Sequence, residues 1–156
     1  MTSEPVSNNP LHASARLAIS SDQNPLAHWP LRVLVVDDLR DAAESMTQLL
    51  RILGYDARIA FDGETAIAAA CEMLPHVVLL DLGLPTLSGY HVAERLRQEV
   101  RLQTTCLIAL SGYGQAEDIE RAHRAGFDRH FLKPVDIATL QAVLQDIAQQ
   151  QKQVPG

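Results

Sequence analysis

The sequence predicts an α/β fold of the doubly wound kind, a five-stranded parallel sheet with helices on both faces. Three observations lead there. Five short apolar runs rich in β-branched residues recur along the chain, helical patterns separate them, and glycine or proline stands at most of the boundaries.

Leu31 to Val36 is a continuous apolar run, interrupted only by Arg32, as expected of a strand buried on both faces. Met46, Leu49, Leu50 and Leu53 then fall at i, i+3, i+4 and i+7 and predict a helix that stops at Gly54. Asp56 to Ala60 reads as the second strand and Asp62-Gly63 as a turn. Ile67, Ala70, Cys71 and Leu74 mark a second helix, ended by Pro75, and Val77 to Leu80 is the third strand. Gly89 to Val100 carries a third helix with Val92, Ala93 and Leu96 inward. Cys106 to Leu110 is the fourth strand, and Ala116 to Ala125 a shorter helix with a thinner apolar stripe, ended by Gly126. Phe131-Leu132 lies in the fifth strand, and Asp136 caps a last helix bearing Ile137, Leu140, Leu144 and Ile147. Crossovers between parallel strands are right-handed, and for five such units the flavodoxin-like order 2-1-3-4-5 is the common solution.

The ends differ from this pattern. Residues 1–30 are rich in Ser, Asn, Pro and Ala without a sustained period and read as a flexible arm, in which Leu11, Ala15 and Ala18 offer one weak helical turn and Trp29 a contact to the domain edge. Residues 31–149 form the domain, and the polar residues 150–156 read as a frayed tail. The length suits one domain, and the net charge of −6 gives no electrostatic reason to expect nucleic acid or an anionic membrane as partner. Cys71 and Cys106 sit in apolar stretches without disulfide or ligand spacing. No basic leader precedes an apolar core, and no apolar run approaches the roughly 18 residues that cross a bilayer. A cytoplasmic protein, monomeric or weakly dimeric, is expected.

In such sheets ligands bind beyond the carboxyl ends of the strands, near the point where strand order reverses. The first strand delivers Asp37 and Asp38 there, the third Asp81, the fourth Ser111 and the fifth Lys133, followed by Pro134. Taken singly, each has a plainer use: an Asp caps a helix, Ser111-Gly112 makes a turn, a lysine is solvated. Their common placement carries the weight. Crowded carboxylates repel unless a cation neutralises them, and an all-oxygen set selects a hard ion such as Mg²⁺.

These residues resemble the receiver domains of bacterial response regulators and hybrid histidine kinases over roughly Leu31 to Gln149. The motifs are Val-Leu-Val-Val-Asp-Asp, Leu-Leu-Asp-Leu-Gly-Leu-Pro with Ser-Gly-Tyr, Ala-Leu-Ser-Gly-Tyr, and Phe-Leu-Lys-Pro. The resemblance implies that Asp81 accepts a phosphoryl group. It implies that Asp38, Asp81 and the Gly83 carbonyl bind Mg²⁺, with Asp37 acting through water. Ser111 and Lys133 would hold phosphoryl oxygens, and the Lys133–Pro134 peptide bond would be cis. Gly112 would leave space for the incoming group, and Gly83 and Tyr113 would stand where the family modulates dephosphorylation. Such a module catalyses its own phosphotransfer and dephosphorylation rather than turning over external substrates. Its expected partners are a histidine kinase or histidine phosphotransfer protein and a downstream protein target.

One position departs from the family. His130 stands three residues before the lysine, where chemotaxis-type receivers carry a rotating Tyr or Phe. It is either a switch that moves between inward and outward positions or a partly exposed edge-strand residue. The other histidines, at 12, 28, 76, 91 and 123, form no metal pattern. The competing reading is a phosphatase that forms an aspartyl-phosphate, which would want a second Asp two residues after the nucleophile; Gly83 occupies that place. A nucleotide-binding relative would want a glycine-rich loop after the first strand, where Asp-Asp-Leu-Arg-Asp stands instead. With the chain ending on its last helix, the expected output is a protein contact, a phosphate relay or a phosphate sink. Deleting residues 1–28 is expected to leave the rate of Asp81 labelling by a small phosphodonor near wild type; a large loss would show that the arm packs over the site.

Overall fold

The computed structural model describes residues 30–112 and 114–153. The arm read into the first residues, the tail beyond Gln153 and Tyr113 lie outside the described residues. Strands β1 (Arg32–Val36), β2 (Asp56–Ala60), β3 (Val77–Asp81), β4 (Cys106–Ser111) and β5 (Arg129–Leu132) alternate with helices α1 (Arg40–Ile52), α2 (Gly63–Met73), α3 (Gly89–Arg97), α4 (Ala116–Ala125) and α5 (Ile137–Gln153). All strand pairs are parallel and the order is β2-β1-β3-β4-β5. The predicted flavodoxin-like topology is therefore the one observed.

Successive side chains on a strand point to opposite faces, so the central strands are apolar at consecutive positions between their ends. Leu34, Val36, Val78, Leu80, Leu107 and Ala109 face one layer, where Ala66, Ala70, Val92, Leu96, Ala122 and Phe127 complete the core. Val33, Val35, Val77, Leu79, Ile108 and Leu110 face the other, closed by Leu50, Leu140, Leu144 and Ile147. Each fully buried Leu or Val contributes about 1.5–3 kcal/mol relative to an exposed one.

Local signals set most boundaries. Asp62 caps α2 by accepting the Thr65 N–H at 2.8 Å, so Asp62-Gly63 opens a helix rather than forming a separate turn. Asp136 accepts the Thr139 N–H at 3.2 Å ahead of α5, as a cap should. Pro75 disfavours a helical residue before it, and Leu74 ends α2 in the left-handed region at φ 49°. Gly126 closes α4 at φ 111°, where a side chain would be strained.

Three expectations are corrected. The inward face of α1 is Ala43, Met46, Thr47 and Leu50, whereas Leu53 is 37% exposed; the small residues at 43 and 47 let the helix close on the sheet. Helix α3 stops at Arg97 rather than Val100. The reason is packing: Leu102, 1% exposed in a short 3-10 turn, fills the core in place of Val100, which is 78% exposed. Arg97 stabilises the break by donating to the carbonyls of Leu102 (3.2 Å), Thr105 (2.8 Å) and Gly126 (2.9 Å) and to Asp128 Oδ2 (2.7 Å). Helix α5 continues through Gln153, past the expected end of the domain, because Gln and Lys are good helix formers and no breaker intervenes.

Thr47 is buried in α1, and its Oγ1 has no hydrogen-bond partner among the described residues. Thr47→Val keeps the shape and removes an unsatisfied hydroxyl. It is expected to raise unfolding stability by about 1 kcal/mol in urea titrations; an unchanged or lower midpoint would show that the hydroxyl is satisfied in solution.

Candidate functional site

The parallel sheet ends all its strands on one side, and the polar residues gather there. Asp37 follows β1 and Asp81 ends β3, neighbours in the sheet, and both are buried, whereas Asp38 is exposed. Asp37, Asp38 and Asp81 each offer a carboxylate oxygen within 4.8 Å of the others. Lys133, just past β5, places Nζ 3.0 Å from Asp37 Oδ2 and 3.3 Å from Asp81 Oδ2.

The two buried carboxylates are oriented by backbone. Asp37 Oδ1 accepts the Leu39 N–H at 3.0 Å, and the Asp37 N–H donates to the Ala60 carbonyl at 3.2 Å. Asp81 Oδ1 accepts the Gly83 N–H at 3.0 Å. Gly89 presses against this turn: a Cβ there would stand 2.5 Å from the Asp81 carbonyl oxygen and 2.7 Å from Leu82 Cα, so only glycine lets α3 start where it does. A Cβ at Gly112 would meet nothing within 4 Å, which leaves open space beside the cluster.

The electrostatics follow from burial and proximity. Burial pushes the Asp81 carboxyl above its usual range, and the Asp37 carboxylate adds to this, while the Gly83 N–H and Lys133 act against it. For Lys133, burial favours the neutral amine, but the contacts with Asp37 and Asp81 together outweigh it and raise the pKa. One ammonium thus faces two buried carboxylates with a third, exposed carboxylate beside them. A hard divalent cation suits this excess: the donors are all oxygen, and the exposed Asp38 leaves room for the waters that Mg²⁺ retains.

Ser111, at the end of β4, is buried, and its Oγ lies 2.8 Å from His130 Nε2. The register explains the contact. His130 pairs with Ala109, and Ser111 is two residues further along the same strand, hence on the same face. The Lys133 N–H donates to the Ser111 carbonyl at 2.8 Å, and the Lys133–Pro134 peptide bond is cis, as expected. The described residues that the sequence reading assigned to the site, Asp37, Asp38, Asp81, Gly83, Ser111, His130 and Lys133, therefore lie at or next to the carboxyl ends of the strands.

Sequence reasoning gave no place in the site to three neighbours, although Tyr90 belongs to the Ser-Gly-Tyr motif. A cleft of about 250 Å³ beside Asp81, Gly83, Ser111 and Gly112 is also lined by Tyr90, Asp118 and Arg121. The Arg121 guanidinium stands 3.9 Å from the Tyr90 ring centroid. No periodic or spacing signal announces that pair, because it forms across two helices. The remaining described histidines have local partners or are exposed: His76 Nδ1 accepts the Arg32 N–H at 2.9 Å, His91 Nδ1 lies 3.0 Å from Ser88 Oγ, and His123 is exposed. Cys106 is a half-buried free thiol, pushed up to about 11 chiefly by burial. Among the described residues no helix is long and apolar enough to cross a membrane.

Known proteins resemble this chain in sequence and in fold. The chain is 29% identical over 124 residues, 80% of its length and 52% of the relative's, to the DNA-binding dual master transcriptional regulator RpaA of Synechocystis sp.. It is 39% identical over 108 residues, 69% of its length and 45% of the relative's, to the probable transcriptional regulatory protein TcrX of Mycobacterium tuberculosis. The chain thus spans about half the length of the curated relatives it matches. Among solved structures it resembles the receiver domain of sensor histidine kinase PA1611 from Pseudomonas aeruginosa, which holds a coordinated magnesium ion in its active-site cleft. The TM-score is 0.70 at 28% identity, covering 77% of this chain and 98% of that one. The family model of the response regulator receiver domain matches residues 33–145, and the chain belongs to that family of signalling modules.

Proposed function

We propose that this receiver domain is phosphorylated on Asp81, in a Mg²⁺-dependent reaction, by a histidine kinase or a histidine phosphotransfer protein. The observation that carries the reading is the cluster of Asp37, Asp38 and Asp81 with Lys133 held between two of its carboxylates. Asp38, Asp81 and the Gly83 carbonyl would hold the ion, with Asp37 acting through water. When bound, the ion supplies positive charge to the phosphoryl oxygens.

The chain's own residues do the rest. An Asp81 carboxylate oxygen forms the new bond to phosphorus while the phosphorus–nitrogen bond of the donor histidine breaks. The electron pair leaves with the imidazole. Lys133 turns its ammonium from a carboxylate of Asp81 toward a phosphoryl oxygen, and Ser111 donates its hydroxyl to another. Charge spread over the transferring group makes positioning and electrostatic stabilisation the main catalytic effects. Gly83, where a phosphatase of this type would place its acid, supports a signalling role over turnover.

The output we infer is a phosphorylation-dependent protein contact, or onward transfer or drainage of the phosphate. Turning the Ser111 hydroxyl toward a phosphoryl oxygen would alter its 2.8 Å contact with His130, so His130 is the residue placed to register the change. Helix α4 is the element best placed to respond: it buries only Ala122 and Ala125, and Ile119 is 45% exposed. A ligand shifts such an equilibrium only by its differential affinity for the two arrangements.

Two experiments test this. Asp81→Asn should keep the fold and lose the labile acyl phosphate formed from a small phosphodonor with Mg²⁺. Because burial raises the Asp81 pKa, the neutral amide should also stabilise the fold at neutral pH, a gain that shrinks as the pH falls and Asp81 itself protonates. Asp38→Ala should abolish Mg²⁺ binding; retained labelling in either variant sinks the assignment. Beryllofluoride with Mg²⁺ should alter amide exchange most in residues 111–135 and less in α1 and α2, and His130→Ala should weaken that coupling while labelling persists. Changes centred on α1 would place the readout on the other side of the sheet.

A further inference from the structure

We propose that Arg121 sets phosphodonor preference, favouring small acyl phosphates, whose leaving group departs as a carboxylate, over donors whose leaving group is neutral. The proposal rests on Asp81 as phosphoacceptor and adds a residue of α4 to that reaction.

The cleft of about 250 Å³ beside Asp81 is where a donor's leaving group finds room, and at roughly 30 Å³ per water it admits a small organic phosphate together with water. Arg121 is the single cation among the described residues that line it. The other nearby cation, Lys133, is already engaged by Asp37 and Asp81. Arg121 is held differently. Its guanidinium lies with its carbon 3.9 Å from the Tyr90 centroid, and among the described residues it makes no ion pair; the pair on α4 joins Arg124 to Glu120. A guanidinium stacked on a ring keeps its edge N–H donors for a ligand, while the ring limits its rotamers. Asp118, one helical turn earlier, lines the same cleft with the opposite sign. Both charges are felt at the shared wall: burial, then Asp118, raise the Tyr90 phenol, and Arg121 opposes them.

The chemistry separates two donor classes. With an acyl phosphate, an Asp81 oxygen bonds to phosphorus, the bond from phosphorus to the acyl oxygen breaks, and the electron pair leaves on a carboxylate. No proton is required. In a loose transition state that oxygen gains negative charge, which a nearby guanidinium stabilises. With phosphoramidate, the phosphorus–nitrogen bond breaks and the already protonated nitrogen leaves as ammonia. That nitrogen still carries positive charge in the transition state, so in the second-order rate, counted from the free donor, a cation repels it and gives no such help.

The test measures Asp81 labelling by intact-protein mass with acetyl phosphate and with phosphoramidate, both with Mg²⁺. In Arg121→Gln the ratio of the acetyl phosphate rate to the phosphoramidate rate should fall about threefold, the size of a solvent-screened charge contact. Arg121→Lys should retain most of the ratio, and Asp118→Asn should raise it. An unchanged ratio in Arg121→Gln, with both rates intact or both reduced together, overturns the proposal, as does a lysine variant that behaves like the glutamine one. If neither donor labels the wild type, the reading of Asp81 fails and this proposal with it.

Discussion

Two buried carboxylates at the end of an apolar sheet require a positive charge, and Lys133 brings it from the far strand. Asp37 and Asp81 are 5% and 7% exposed, so their charges would be costly without a partner. The ammonium reaches both at 3.0 and 3.3 Å, which ties β5, paired in the sheet only to β4, to the ends of β1 and β3. The cluster is nevertheless under-neutralised, since one ammonium faces three carboxylates. On the proposed reading, that deficit favours the binding of a cation. Full neutralisation by protein groups would stabilise the empty state and weaken the incentive to bind an ion or phosphate.

The rest of the fold makes that arrangement affordable by fixing what surrounds it. The opposite end of the sheet is knotted by Arg97, whose guanidinium gathers carbonyls from the turn after α3, the approach to β4 and the end of α4. Asp128, bound to the same guanidinium, also accepts the Leu107 N–H at 2.9 Å and so anchors the start of β5 against β4. At the site end, β1 is pinned by two backbone contacts around Asp37, and α3 begins in close contact with Asp81 through Gly89. These elements have little freedom to move. Among the described residues, helix α4 has no comparable tie at its amino-terminal end, where Gln115 caps it without a side-chain hydrogen bond.

Much of this was legible in the sequence, and the reason is physical. A strand buried on both faces must be apolar throughout, so an acid that follows it directly, as Asp37 follows Val36 and Asp81 follows Leu80, stands out and locates the strand end. Topology then converges the ends. What escaped was decided by packing between elements. Val100 and Leu102 are equally apolar, and only the three-dimensional fit selects Leu102 for the core. The α1 face turned toward Ala43 and Thr47 because small residues allow close approach, which a hydrophobicity pattern does not weigh. The Ser111–His130 contact was recoverable in principle from the register of β4 and β5, whereas the Tyr90–Arg121 stack needs the relative placement of α3 and α4.

That placement has a consequence for how the reaction and its readout are linked. Helix α4 carries Asp118 and Arg121 into the cleft beside Asp81, and the chain leading into it starts from Ser111. On the proposed reading, the same helix both meets the donor and responds to the phosphoryl group. Linkage requires reciprocity: if phosphorylation favours one arrangement of α4, then that arrangement binds the phosphoryl group and its mimics more tightly by the same factor. A partner that grips α4 in the arrangement favoured by phosphate would stabilise the phosphorylated state, and one that grips the other arrangement would oppose it. Donor preference need not follow the same factor, because reciprocity governs binding free energies and not rates. The charge on Arg121 and the looseness of α4 are thus separable properties of one helix: the first acts on the leaving group, the second on the equilibrium that the phosphate shifts.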